Sequence, residues 1–167
     1  MFEHLQEHGR ILVTGPQRSG TTIAARMIAA DTGHRYLDEF NFEVRDVAQW
    51  RMCLHQDRIV VQCPHMLKDI VDAPPTGTFV VLMRRNLEDI HRSESRIGWD
   101  MEQGGNSAEL SKFNVDQGDS AALKYAYWDS HKKDFPYLEL AFESLQGNPL
   151  YVEAELRHHF GPKQVRL

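Results

Sequence analysis

Cysteine is scarce in this chain: Cys53 and Cys63 are the only two among 167 residues. Two cysteines at that spacing make neither a disulfide framework nor a zinc-ligand pattern, so they read as reduced thiols. Long apolar runs are missing too. None approaches the ~20 residues that cross a bilayer, and the opening Met1-Phe2-Glu3-His4 lacks the signal-peptide pattern. A cytoplasmic protein with no membrane partner is the expectation. Positive charge is not in excess, because 24 Asp and Glu against 19 Lys and Arg leave −5 at pH 7. That balance argues against a general nucleic-acid binder. There is no internal repeat. The nine histidines are scattered, and His158-His159 reads as a helix surface rather than a metal site. With 41% hydrophobic residues, the chain is expected to form one soluble domain over 1–167 with a single core.

What is present begins with Gly15-Pro16-Gln17-Arg18-Ser19-Gly20-Thr21-Thr22, directly after the apolar run Ile11-Leu12-Val13. Gly15 and Gly20 allow turns closed to other residues, so that amide N–H groups converge on one anion. A helix starting near Thr21 adds the positive end of its dipole and unpaired donors. Thr21 and Thr22 add hydroxyls. The glycine spacing is that of the phosphate-binding P-loop pattern, but Thr21 stands where that pattern has lysine. The cation lies three residues earlier, at Arg18, whose planar guanidinium can hold two oxygens at once.

The rest of the chain alternates strands and helices. Strands are expected at 10–14, 35–38, 58–62, 78–83 and 137–142. Helices are expected at 20–31, 43–55, 66–71, 86–97, 119–133 and 148–160. In the second of these, Val44, Val47, Trp50, Met52 and Leu54 lie mostly on one side. Pro74-Pro75-Thr76-Gly77 reads as a turn. Residues 100–118 are polar and glycine-bearing, and read as a mobile loop or lid. The predicted fold class is α/β: a three-layer α/β/α sandwich with a central, mostly parallel five-stranded sheet, P-loop NTPase-like.

Ligands of such sheets bind at the carboxyl ends of the strands. Arg85 sits at that end of the fourth strand, and Ser93 follows about two helical turns later. The pair can hold a second anion away from the first loop. Equally, the segment can be a charged helix start capped by Asn86.

Taken together, these segments resemble the sulfotransferase family. Arg18-Ser19-Gly20-Thr21-Thr22 is similar to its 5′-phosphosulfate loop. Arg85-Asn86-x-x-Asp89-x-x-x-Ser93 is similar to its 3′-phosphate motif, and Phe142-Glu143-Ser144-Leu145 to its Tyr-Glu-x-Leu segment. The resemblance implies the cofactor 3′-phosphoadenosine 5′-phosphosulfate (PAPS), with adenosine 3′,5′-bisphosphate (PAP) as product. It implies sulfuryl transfer to a hydroxyl or amine acceptor, which the sequence does not name. The cofactor-binding set would be Gly15, Gln17, Arg18, Ser19, Gly20, Thr21, Thr22, Arg85 and Ser93. Ile23 departs from the tryptophan of cytosolic members, Leu87 from a common proline, and Gly161-Pro162-Lys163 is at best a remnant of a C-terminal glycine-rich segment.

Transfer needs a base on the acceptor. His65 in Cys63-Pro64-His65-Met66-Leu67 and Glu39 in Leu37-Asp38-Glu39-Phe40 both follow strands, and the choice between them stays open. Arg18 is expected to stabilise charge on the leaving oxygen. No metal is expected, because the ends of the third and fourth strands carry no aspartate to hold magnesium. Two other readings stand beside this one: a P-loop nucleotide or metabolite kinase, and a non-catalytic nucleotide-binding protein.

Overall fold

The structure is a computed structural model, and it describes residues 1–39, 46–53, 55–73, 76–98, 107–132 and 135–151. Five strands form one sheet: β1 (Arg10–Thr14), β2 (Arg35–Asp38), β3 (Ile59–Gln62), β4 (Phe79–Arg84) and β5 (Tyr137–Ala141). Their order is β2-β3-β1-β4-β5, and every pairing is parallel. The helices are α1 (Thr21–Thr32), α2 (Val47–Cys53), α3 (Leu67–Asp72), α4 (Leu87–Ser95), α5 (Ser107–Lys112) and α6 (Ser120–His131). The α/β class read from the sequence is the observed one.

The uninterrupted apolar strands follow from covering the sheet on both faces. Ile11, Val13, Val60, Val81 and Met83 point to one face, against Ala24, Ala25, Met27 and Ile28 of α1. Leu12, Val61, Val80 and Leu82 point to the other, against Trp50, Met66, Leu67, Ile70 and Trp128. The alternation within each strand is the period of two that a pleated backbone imposes. Alanines on α1 bring that helix close to the sheet, and large side chains fill the opposite layer.

Several boundaries differ from expectation for local reasons. β3 starts at Ile59 because Arg58 has φ 57, in the left-handed region that a strand excludes. In α2, Trp50 is buried but Met52 is 74% exposed. Two residues along a helix turn the side chain about 200°, to the far side. The segment read as a lid contains α5, anchored by buried Leu110 and Glu109. Residues 99–106, including Gly104-Gly105-Asn106, lie outside the described residues. So do residues 40–45, Leu54, Pro74-Pro75, His158-His159, Gly161-Pro162-Lys163 and all of the last expected helix beyond 151.

The β1–α1 turn is fitted against β4. Gly15 has φ 144, and a Cβ there would lie 2.9 Å from the Met83 carbonyl oxygen and 3.0 Å from Ser19 Oγ. The clash is with backbone, which cannot swing aside. Gly15→Ala is expected to cost about 1–3 kcal/mol, the scale of a strained backbone position. At Gly147 the φ is not positive, and a Cβ would meet no atom within 4 Å, so Gly147→Ala should be near neutral. Urea unfolding of the two variants checks the contrast.

Candidate functional site

The loop between β1 and α1 is a tight, self-bonded turn. Ser19 donates both its backbone N–H (3.2 Å) and its hydroxyl (2.7 Å) to the Pro16 carbonyl. Ser19 is fully buried, so it shapes the turn from inside. Arg18 takes φ 64 and Gly20 φ 95. A left-handed arginine is a strained choice, and such strain collects at functional sites. It throws the Arg18 side chain outward from the turn. Thr21 faces inward, accepting from Gln62 Nε2 at 3.1 Å. Thr22 is exposed.

Arg18, Gly20, Thr21, Thr22, Arg85 and Ser93 line one cavity of about 310 Å³, completed by Ile23, Arg26 and Phe142. Three guanidiniums in one hollow give it the charge and the donors to attract an anion. Arg18 Nε donates to Ser93 Oγ at 2.9 Å, and an Arg85 terminal nitrogen donates to the Arg18 carbonyl at 2.9 Å. Arg85 stacks on the Phe142 ring, 4.2 Å from its centroid. The Arg85 Nε is buried and makes no hydrogen bond, a donor available to a ligand oxygen. Phe142 rests on Gly20, where a Cβ would come within 2.4 Å of the ring. The backbone of β4's end is tied down by Tyr125 of α6. Its hydroxyl accepts from Arg85 N at 2.9 Å and donates to Met83 O at 3.3 Å. Asn86 does cap α4, accepting from Glu88 N at 2.8 Å. The cap and the cavity-facing Arg85 and Ser93 coexist.

Gln17, the neighbour of Arg18, reaches the other way, toward a polar cluster at the end of β3. Its Oε1 accepts from Lys124 Nζ at 2.7 Å, and its Nε2 lies 3.4 Å from His65 Nδ1. Lys124, on α6, also donates to Pro64 O at 3.1 Å and pairs with Glu109 Oε2 at 2.6 Å. Glu109 Oε1 bonds His65 Nδ1. His65 Nε2 lies 3.4 Å from Glu39 Oε2. Lys124 is 1% exposed and Glu109 is 4% exposed.

Burial and partners pull against each other at Glu109, Glu39 and Lys124, and the winner differs among them. For Glu109, burial pushes upward, but the bonds to His65 and Lys124 outweigh it and hold the carboxyl at about 2. For Glu39, burial wins over the attraction of His65 and Lys124, so its carboxyl is raised. Lys124 is lowered by burial against the pull of Glu109. Burial and the nearby Glu39 push the Cys63 thiol up to about 12, which leaves it unreactive.

The expected site residues thus fall into three groups. Arg18, Gly20, Thr21, Thr22, Arg85 and Ser93 meet in the cavity. Gly15 and Ser19 shape the turn. Gln17, His65 and Glu39 meet in the second cluster. Sequence reasoning missed Glu109 and Lys124. Lys124 did leave a signal: it shares the stripe Ala121, Lys124, Tyr125, Trp128 on the buried side of α6. A lysine on such a stripe is either paired or very costly.

A parallel sheet in this order, with a glycine-flanked loop opening the first helix, defines a P-loop-type α/β fold. Solved structures bear this out. The chain superposes on shikimate kinase from Bacteroides thetaiotaomicron with TM-score 0.55 at 15% identity, covering 91% of this chain and 98% of that one. It matches the YorR protein of Bacillus subtilis, solved with phosphorylated GDP, with TM-score 0.53 at 9% identity, covering 89% and 98%. It matches a mouse sulfotransferase complexed with PAP with TM-score 0.51 at 14% identity, covering 94% of this chain and 61% of the sulfotransferase. At these identities the likeness is one of fold, shared by kinases and a sulfotransferase. No protein-family model matches the chain, and no curated protein matches it in sequence.

The charges and the strain can both be tested by unfolding. Glu109 titrates at 4.5 ordinarily and at about 2 in the fold. Folding therefore favours its ionised form, which contributes stability above pH 4.5 that is lost as the pH falls from 4.5 toward 2. Glu39, raised instead, loses stability as the pH climbs through its folded value. Glu109→Gln leaves a buried ammonium without its counter-charge, at a cost of about 3–5 kcal/mol near neutrality. Urea unfolding at several pH values should show the gap from the parent shrinking below pH 4.5, and a gap independent of pH would refute the ion pair. At Arg18 the strain is in the backbone. Arg18→Gly is expected to be about 1 kcal/mol more stable than Arg18→Ala, read from the same unfolding curves.

Proposed function

We propose that the protein is a PAPS-dependent sulfotransferase acting on a hydroxyl or amine acceptor. The observation that carries this reading is the single cavity in which the β1–α1 loop meets Arg85 and Ser93. Arg18 and Ser93 are already joined across it at 2.9 Å. A nucleotide with anions at both its 5′ and 3′ positions matches that pair of poles. The loop amides, Thr22 and the α1 N-terminus would hold the 5′ group. Arg85, with its buried unpaired Nε, and Ser93 would hold the 3′-phosphate. The fit rests on that donor and on three arginines lining one cavity. PAPS supplies the sulfuryl group when bound.

The chain's own residues would do the rest. Arg18 places fixed positive charge where negative charge grows on the leaving side. His65 or Glu39, 3.4 Å apart, would take the acceptor's proton. Glu39's raised carboxyl is part-protonated closer to neutrality than an ordinary carboxyl, which suits a base working there.

The kinase reading draws on the shared fold. Two features of the site weigh against it. Thr21 stands where a P-loop kinase has its lysine, and the group touching Thr21 from the end of β3 is the neutral Gln62 amide. Melting-temperature shifts separate the readings. Without magnesium, PAP at about 100 times its Kd should stabilise the protein by about 2.7 kcal/mol. Stabilisation only by ATP with magnesium would favour the kinase, and binding of PAP with no transfer to any acceptor the non-catalytic protein. Arg85→Ala should weaken PAP binding by about 1.5–3 kcal/mol while leaving adenosine 5′-phosphate nearly untouched. Equal loss for both ligands would remove Arg85 from the 3′ site.

A further inference from the structure

His65 is held by more than a base requires. Three groups approach its ring, a fourth bonds its backbone, and a fifth holds two of the first three in place. Glu109 Oε1 on α5 bonds Nδ1. Gln17 Nε2 in the β1–α1 loop lies 3.4 Å from the same nitrogen. Glu39 Oε2, after β2, lies 3.4 Å from Nε2. Lys112 Nζ on α5 donates to the His65 carbonyl at 2.7 Å. Lys124 on α6 does not touch the ring, but it fixes Glu109 Oε2 at 2.6 Å and Gln17 Oε1 at 2.7 Å.

We propose that Glu109 is a positioning residue for His65: it holds the imidazole proton on Nδ1 and leaves Nε2, on the Glu39 side, as the nitrogen that accepts a proton. This rests on the reading of His65 as the base. Glu39 competes from the other side: a carboxylate 3.4 Å from Nε2 favours Nε2–H, but that contact is longer than the bond Glu109 makes to Nδ1. A second contest takes place at Nδ1 itself. Gln17 Oε1 is committed to Lys124, so Gln17 presents its NH2 to Nδ1, and an NH2 can only donate. Gln17 therefore favours an unprotonated Nδ1. Glu109, as a carboxylate, can only accept, and favours Nδ1–H. The carboxylate bond is charge-assisted and roughly twice as strong as a neutral one, and the amide contact is the longer of the two. Glu109 wins.

Lys124 makes the result hold. With the His65 bond, it keeps Glu109 ionised although buried, and its charge lies 2.6 Å from the second carboxylate oxygen, which favours the orientation that turns the first toward His65. The pattern is the general one in which a base is oriented by a third group. Here the third group is itself anchored by a fourth. α5 acquires a purpose in this arrangement: six residues long, it delivers Glu109 to the ring and Lys112 to the backbone beneath it.

The tautomer is measurable without an acceptor substrate. Histidine-selective 15N labelling of the full chain, at pH 8 without nucleotide, gives the protonation state of each ring nitrogen by NMR. The His65 signals are those missing from His65→Gln. The expected result is Nδ1–H in roughly tenfold excess over Nε2–H. In Glu109→Ala the Gln17 amide is the remaining partner of Nδ1, and the excess should reverse. A purely structural Glu109 would leave the tautomer where it was. Predominant Nε2–H in the parent, a doubly protonated ring at pH 8, or an unchanged tautomer in a folded Glu109→Ala would each overturn the proposal. Should that variant not fold, the parent spectrum decides. The outcome is independent of PAP binding: a protein with His65 on Nδ1–H that PAP does not stabilise refutes the sulfotransferase reading and leaves the tautomer assignment standing.

Discussion

A buried ammonium must be compensated, and Lys124 is compensated from three directions. Removing a charge from water costs several kcal/mol unless partners surround it. Glu109, Gln17 and the Pro64 carbonyl supply those partners. They belong to α5, the β1–α1 loop and the end of β3, so meeting the needs of one nitrogen on α6 locks four segments together. The packing of α6 on the sheet, through Trp128, sets where that nitrogen is. Apolar packing thus places the charge, and the charge places the polar residues.

The strand order explains why the site has two halves. β1 is central, with β4 on one side and β3 on the other. The loop leaving β1 can therefore reach residues beyond either neighbour. Arg18 reaches Ser93, beyond β4, and Gln17 reaches His65, beyond β3. Adjacent residues of one loop serve two environments: an open cavity rich in arginine, and a cluster of paired charges in which Lys124 and Glu109 are buried while the His65 side chain is 38% exposed. A single peptide bond thus separates the residue that faces the cavity from the one that faces the cluster.

Much of this was legible in the sequence. Continuous apolar strands announced a sheet covered on both faces, and Gly15 and Gly20 announced the turn. Arg85 and Ser93 could be placed because a strand end and a helical spacing are local facts. Glu109 and Lys124 could not be placed that way. α5 is under two turns long, too short for periodicity to show against a polar, glycine-bearing background. Whether a lysine on α6 is buried depends on what that helix lies against, which is decided by β3 and the loop, far away in the chain. Met52 failed for a simpler reason, since an apolar residue near an apolar stripe is not always on it. The left-handed Arg18 had no signal at all, as nothing in an arginine's chemistry asks for a positive φ.

The position of β1 has a consequence for how the chain is made. Of the five strands it is the first to be synthesised and the innermost in the finished sheet. Its register partners, Val60 opposite Ile11 on one side and Phe79 opposite Ile11 on the other, come much later. Until they emerge, Ile11-Leu12-Val13 has two unpaired edges and two apolar faces, the state most open to wrong association. Only its near neighbours in the chain, α1 and the preceding Phe2 and Leu5, can shield one face in the meantime. Loop closure over such distances is slow compared with helix formation. The alanine-rich helix after the β1–α1 loop is thus also among β1's earliest companions on the ribosome, before the rest of the sheet arrives.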